Sequence, residues 1–109
     1  MAYDEAVAER VRSVLKRRRG ISERKMFGGI AFMLKGNMCC GVLDEDLVLR
    51  LGNNAAAEAM NFPHTRPMDF TGKPLKSMVY VDPAGYRSDE DLRAWIERAV
   101  NHVKTLPPK

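Results

Sequence analysis

The sequence predicts an α+β domain, in which N- and C-terminal helices pack on an antiparallel sheet of about five strands. Apolar residues recur at helical spacing near both ends of the chain, whereas short apolar segments separated by turn residues fill its middle. The chain has 109 residues, of which 45% are hydrophobic and 29% charged. This length and balance are typical of one globular domain, so we expect residues 1–109 to form a single unit.

The first predicted element is an amphipathic helix over residues 3–19. Val11 and Leu15 belong to a set of apolar residues at helical spacing, with charged residues between them. Asp4 suits the N-cap, because its carboxylate can accept a free backbone N–H. Gly20 suits the position after the helix, where a left-handed backbone costs glycine little.

Short apolar segments then predict an antiparallel meander. They are residues 26–27, 30–34, 38–43 and 47–51. The segments between them have hairpin lengths. The two inner strands are apolar on both faces, which indicates either that both faces are covered or that one is a partner surface.

The remaining elements are a short helix, a long connection, a fifth strand and a last helix. Residues 55–60 predict the short helix, and the prolines and glycine of residues 61–77 predict an irregular connection. Residues 78–81 predict the strand. Ser88 is a strong N-cap for the last helix, and the apolar stripe of that helix runs from Leu92 to Val103.

Composition argues against membrane and secreted proteins. No apolar run approaches the roughly 20 residues that a membrane helix needs, so we expect no membrane partner. The polar start of the chain predicts that no signal peptide is present. Cys39 and Cys40 are the only cysteines, and they are adjacent. Two adjacent cysteines are not a disulfide framework, which favours a reducing, cytoplasmic location.

The residues that carry chemistry do not form a recognisable catalytic set. Adjacent strand side chains point to opposite faces, so Cys39 and Cys40 predict one core thiol and one thiol on the other face. No spacing suits zinc, and Gly28-Gly29 and Gly72-Lys73 lack the spacing of phosphate-binding loops. We therefore predict no enzyme activity, no catalytic residue, no cofactor and no metal. The alternative is a small thiol-dependent enzyme or ligand-binding protein that pairs a cysteine with His64.

Basic residues cluster at the end of the first predicted helix. The candidate contact residues are Lys16, Arg17, Arg18, Arg19, Arg24 and Lys25. Six cations within ten residues could contact nucleic-acid phosphates. Consecutive positions spread around a helix, however, and no helix-turn-helix or zinc-finger pattern is present. The cluster therefore predicts either a surface that contacts DNA or a partner, or a solvated helix end.

Four ordered motifs resemble the N-terminal domain of the TfoX/Sxy family. They are MFGGIAFM at 26–33, GNMCCGV at 36–42, RPMDFTGKP at 66–74 and VYV at 79–81. The resemblance extends over nearly the whole chain, and it is to the stand-alone form of that domain. It implies an α+β fold and a role as a bacterial regulator of transcription and natural competence.

The resemblance also implies the kind of partner. The best-known members act with the cyclic-AMP receptor protein at competence promoters, so we expect a non-enzymatic module that binds a transcription factor of this type. The residues Arg66, Met68, Asp69 and Phe70 form a candidate partner loop, because loop residues with a defined pattern often serve binding. Anchoring of the loop is the other interpretation of these four residues. Direct binding to DNA through the basic cluster is an alternative function.

Overall fold

The computed structural model describes residues 3–26, 28–68 and 75–108 of the chain. These residues form three α-helices, α1 (Glu5–Leu15), α2 (Asn53–Ala59) and α3 (Asp89–Val103). They also form six strands: β1 (Ile21–Met26), β2 (Gly29–Leu34), β3 (Asn37–Leu43), β4 (Asp46–Arg50), β5 (Thr65–Met68) and β6 (Leu75–Val81). None of the described helices has the length and apolar character needed to cross a membrane.

The six strands form one antiparallel sheet in the order β1-β2-β3-β4-β6-β5. The first four strands follow each other as a meander, as the turn spacing predicts. The chain then passes through α2, places β5 at the outer edge and returns with β6 beside β4. The predicted α+β class is confirmed, with six strands where about five were expected.

Two strands that the sequence pattern described incompletely, β1 and β5, lie at sheet edges, and the interior strand β6 begins at Leu75, earlier than the predicted residues 78–81. β1 begins at Ile21, well before the apolar pair that predicted it, and its middle residues are charged and exposed. β5 lies inside the connection that was predicted to be irregular, and it contains Pro67. An edge strand tolerates charge and proline because one side of its backbone forms no ladder hydrogen bonds.

α1 is shorter than the predicted span of residues 3–19. It starts where expected, because the Asp4 carboxylate accepts two backbone N–H groups at 2.9 and 3.3 Å. It ends at Leu15, the last residue that the helix buries. Gly20 then adopts a left-handed conformation with φ +81°, and its carbonyl accepts the Lys35 N–H at 2.8 Å. This turn brings β1 alongside β2, so the helix cannot continue.

All three helices pack on the same face of the sheet and close one hydrophobic core. From the sheet, Phe32, Leu47 and Leu49 are fully buried. From α3, Leu92, Ile96 and four further residues of the predicted stripe are buried, so that stripe is confirmed. Each fully buried side chain of this size stabilises folding by roughly 1.5–3 kcal/mol through removal of apolar surface from water.

The opposite face of the sheet, called the helix-free face below, has a second and smaller cluster made only of strand residues. Val48 is fully buried there and Tyr80 is 9% exposed. Met38, Leu43 and Met78 are partly buried around them. The apolar side chains on both faces of the inner strands are therefore buried, under the helices on one face and within this cluster on the other.

The loop before α3 is fixed by Tyr86, whose side chain is 2% exposed. The Tyr86 hydroxyl donates a hydrogen bond to the Glu45 carbonyl in the β3–β4 turn. The Arg10 guanidinium of α1 donates to the Tyr86 carbonyl at 3.0 Å and lies 5.6 Å from the centre of the ring. Burial, together with nearby carboxylates, raises the pKa of Tyr86 to about 12.

Replacing Ser88 by alanine tests the cap of α3. The Ser88 Oγ accepts the Asp91 N–H at 3.0 Å, so Ser88→Ala should lower the free energy of unfolding by about 1 kcal/mol. Urea unfolding followed by circular dichroism measures the change. Ser13→Ala is the control, because Ser13 is exposed within α1, where alanine is favourable. Equal losses in the two variants would contradict the capping role.

Because the pKa of Tyr86 is raised, we expect the free energy of unfolding to depend on pH in the alkaline range. The folded state keeps the phenol proton up to a pKa of about 12, whereas the unfolded state releases it near 10. The contribution of Tyr86 to stability is therefore complete below pH 10 and is lost as pH rises toward 12. Tyr86→Phe should cost about 1 kcal/mol at neutral pH, and its difference from wild type should shrink over this alkaline range. Guanidinium unfolding across the range measures both; a constant difference would contradict the assignment.

Candidate functional site

The exposed large apolar residues of the described part of the chain are two, and both follow α2 closely in sequence. Met60 is 37% exposed and Phe62 is 38% exposed. The loop that carries them is fixed by Thr65, whose hydroxyl lies 2.9 Å from the Ala59 carbonyl and 2.8 Å from the Phe62 carbonyl. Phe62 is therefore an apolar side chain that a fixed loop keeps partly in solvent.

Phe62 packs against α3 through two residues that lie one turn apart. Its ring meets the Trp95 ring edge to face, with 5.5 Å between the ring centres and 63° between the planes. The Arg98 guanidinium lies 4.7 Å from the centre of the Phe62 ring and 5.1 Å from that of Trp95. The Trp95 indole N–H donates to the Gly85 carbonyl at 3.1 Å, which fixes the ring. We call Phe62, Trp95 and Arg98 the aromatic surface; Met60 lines a separate cavity between α2 and β6.

A cavity of about 340 Å³ opens beside these rings. It is lined by Phe62, Pro63, His64, Ala84, Gly85, Asp91, Ala94, Trp95 and Arg98. Its walls are mainly apolar, and both charge signs are present among its polar residues. A cavity of this kind can accept an apolar side chain from another protein while its charged residues pair with the surroundings of that side chain.

Helical spacing predicted Trp95 in the buried stripe of α3, where it lies, whereas no pattern predicted a role for Phe62. The available signal was an apolar pair, Met60 and Phe62, in a segment whose prolines indicated a loop. Apolar residues in a loop usually pack against another part of the same chain. Only the tertiary structure shows that, for Phe62, this part is Trp95 and Arg98.

The basic residues at the end of α1 line a second cavity, of about 460 Å³, which we call the basic cavity. Its cations are Arg17, Arg18, Arg19, Lys35 and Lys104. Its apolar floor consists of Leu34, Val100, Val103, Leu106 and Pro108. Among the described residues that line it, none is acidic. The structure therefore joins part of the predicted cluster with cations from the β2–β3 turn and from the end of α3.

Two polar contacts shape the basic cavity. Asn37 is 4% exposed, and its side-chain amide donates to the Pro107 carbonyl at 2.9 Å. This bond holds the segment after α3 against β3. Arg18 forms an ion pair with Glu97 at 2.7 Å, and because both side chains are partly exposed that pair contributes little stability.

The other predicted cations lie elsewhere. Lys16 is exposed beside a groove that Arg18 also lines. Lys25 is exposed on β1 and lies close to Glu5. The pKa of Glu5 is lowered by its hydrogen bond with Arg12 and further by the charge of Lys25. Arg24 points to the helix-free face, so the six cations do not form one surface.

Arg24 and Arg66 stand at the two ends of one row across the helix-free face. The strand register aligns Arg24, Ala31, Gly41, Val48, Tyr80 and Arg66. A Cβ at Gly41 would lie 2.5 Å from the Ile30 carbonyl oxygen, so glycine is needed for β2 and β3 to approach this closely.

The Arg66 side chain is held by three neighbours. Its guanidinium lies 5.1 Å from the centre of the Tyr80 ring and pairs with Asp46 at 2.5 Å and Asp82 at 3.3 Å. These contacts give Arg66 an anchoring role at the sheet edge. For the rest of the candidate partner loop, the Met68 side chain, Asp69 and Phe70 lie outside the described residues.

Cys39 and Cys40 are both fully buried in the helix-side core, so the expectation of one thiol on each face is wrong. The cause is a β-bulge. Phe32 pairs with Cys40 and Met33 pairs with Met38, so Cys39 has no counterpart on β2 and turns to the same side as Cys40. Hydrogen bonding with the Cys39 thiol, together with burial, holds the pKa of Cys40 well above its usual range.

The structure does not bring His64 to the cysteines. His64 is exposed and lines the cavity of the aromatic surface, which neither cysteine lines. Within the described part of the chain, no group of three or more His, Cys, Asp or Glu residues is placed to hold a metal ion.

The burial of both thiols predicts slow alkylation. Iodoacetamide should modify Cys39 and Cys40 about a hundredfold or more slowly in the native protein than in denaturant, because a buried thiol must first be exposed. Mass spectrometry at successive times measures both rates. A Ser13→Cys variant supplies an exposed thiol as the positive control. Rapid native labelling of either natural cysteine would contradict the burial and favour the thiol-dependent alternative.

Comparison with known proteins identifies one family. Residues 13–103 match the family model described as the TfoX N-terminal domain. The match begins within α1, ends with the last residue of α3, and includes all three residues of the aromatic surface. No curated protein and no solved structure matches the chain.

Proposed function

The chain belongs to the TfoX N-terminal domain family, and on this premise we propose that it is a non-enzymatic regulatory module that acts on transcription by binding another protein. The proposal places it in the bacterial cytoplasm, in the control of genes such as those for natural competence. The partner is a transcription factor, for which the cyclic-AMP receptor protein is the first candidate.

The observation that carries the proposal is the aromatic surface. Phe62 exposes more than a third of its surface while Trp95 and Arg98 hold its ring in one position. Aromatic residues, methionine and arginine are the residue types most enriched at the centres of protein interfaces. A ring fixed before binding loses little conformational entropy when a partner covers it.

The surroundings of the surface indicate the chemistry of the partner. The 340 Å³ cavity beside Phe62 has room for one or two apolar side chains. Arg98 at its edge favours a carboxylate next to those side chains, and Asp91 favours a cation on the other side. The partner is thus a protein segment with an apolar anchor between charged residues.

The placement of the cysteines supports a binding role over the thiol-dependent alternative. A nucleophilic cysteine is partly exposed and has a lowered pKa. Cys39 and Cys40 are fully buried, and the pKa of Cys40 is raised. His64, the base which that alternative requires, lines a different site.

Substitution of Phe62 tests the proposal against the purified cyclic-AMP receptor protein. Biolayer interferometry should show binding by the wild-type chain and, for Phe62→Ala, affinity weaker by about 30-fold (~2 kcal/mol), the usual effect of removing a central aromatic anchor. Arg98→Ala should also weaken binding. Arg93→Ala is the matched control, because Arg93 is exposed on the same helix outside the aromatic surface.

If the wild-type chain does not bind this receptor, the same three variants can be compared as baits in a cell lysate. Capture of a transcription factor that survives nuclease treatment and is lost with Phe62→Ala supports the aromatic surface. Identical captures by the wild-type chain and the Phe62→Ala variant, or captures that disappear with nuclease, contradict the proposal.

A further inference from the structure

Several cations of the chain meet at one cavity. The sequence has 18 Lys and Arg residues against 14 Asp and Glu residues. Five of these cations line the basic cavity, and none of the described lining residues is acidic; Arg18 pairs with Glu97 outside the lining, which leaves four cations to attract an anion. Like charges around a shared cavity repel each other, and a bound anion relieves that repulsion.

Helix dipoles account for only part of this arrangement. Arg17 and Lys104 follow the ends of α1 and α3, where cations are favourable whatever they bind. Lys35 lies in the turn between β2 and β3, with a left-handed φ of 51°, and no helix ends there. Its position at the same cavity therefore points to an anion between the three elements.

The floor of the basic cavity indicates the rest of the ligand. Its accessible apolar residues are Leu106 and Pro108, beneath which Leu34, Val100 and Val103 are buried. Arginine offers planar, paired donors that match the oxygens of phosphate groups. A ligand that combines phosphates with a flat apolar ring would satisfy both the cations and the floor.

We propose that the basic cavity binds a nucleotide, with its phosphates on the cations and its base on the apolar floor. The volume of about 460 Å³ lies within the usual range of small-ligand sites. A free nucleotide and the terminal nucleotide of a single strand present the same chemistry. The site shares no lining residue with the cavity of the aromatic surface, so it is independent of the proposed protein contact.

Titration calorimetry with four probes tests the proposal. The probes are ATP, inorganic tripolyphosphate, adenosine and a single-stranded oligonucleotide of about 12 residues. ATP should bind about tenfold more tightly than tripolyphosphate, because the base covers the floor, and its affinity should fall as salt is raised. Adenosine alone should bind weakly. Preference for the oligonucleotide over ATP would identify a strand as the source of the nucleotide.

Paired variants connect the binding to the basic cavity. Arg19→Gln combined with Lys104→Gln should weaken ATP about tenfold or more by removing two charge-assisted contacts. Arg87→Gln combined with Arg93→Gln removes two exposed cations elsewhere and should leave the affinity unchanged. Leu106→Ser should weaken ATP but not tripolyphosphate. Circular dichroism confirms that each variant is folded, and Lys35→Gln replaces the first pair if that pair fails to fold.

Three results would overturn the proposal. The first is that neither ATP nor the oligonucleotide binds. The second is that tripolyphosphate binds as tightly as ATP, which would show that the floor receives no base. The third is that the control pair weakens ATP binding as much as Arg19→Gln with Lys104→Gln does. That result would show that binding depends only on the overall charge of the protein.

Discussion

The inner strands, β6 included, have apolar side chains at alternate positions, and these side chains face the three helices. Removal of this apolar surface from water is the interaction on which the rest of the structure depends. Leu47 and Leu49 are fully buried because α3 lies across them, and Val11 and Leu15 of α1 complete the cover. α1 must therefore end where the sheet ends. Gly20 then reverses the chain so that β1 can join the sheet.

α3 is long enough to contribute to two separate surfaces while its apolar stripe stays in the core. Its middle brings Trp95 and Arg98 to the Phe62 ring, and its end brings Lys104 to the cations that follow α1. One surface is aromatic and mainly apolar, whereas the other is surrounded by positive charge. The two surfaces therefore suit different ligands, and a single helix fixes the distance between them.

Local irregularities decide which residues are available for chemistry. The bulge at Cys39 turns a second thiol into the core, where it contributes to packing and is removed from solvent. Ion pairs and stacking on Tyr80 hold Arg66 at the sheet edge. Two residue types that usually signal reactivity or binding thus have structural roles here, and the binding roles that we propose rest instead on Phe62 and on the basic cavity.

The sequence by itself determined the fold class, the meander and the last helix, because local periodicity, caps and turn residues act over a few positions. The Ser88 cap and the buried stripe of α3 are where these signals predict them. Only the tertiary structure decided which residues come together at the two candidate sites. Phe62 packs on Trp95, and Arg19 lines the same cavity as Lys104. Both arrangements join residues that are far apart in the sequence, so no local pattern encodes them. The edge strands and the bulge escaped prediction for the same reason: their conformation is set by the neighbouring strand, and their own side chains carry little of that information.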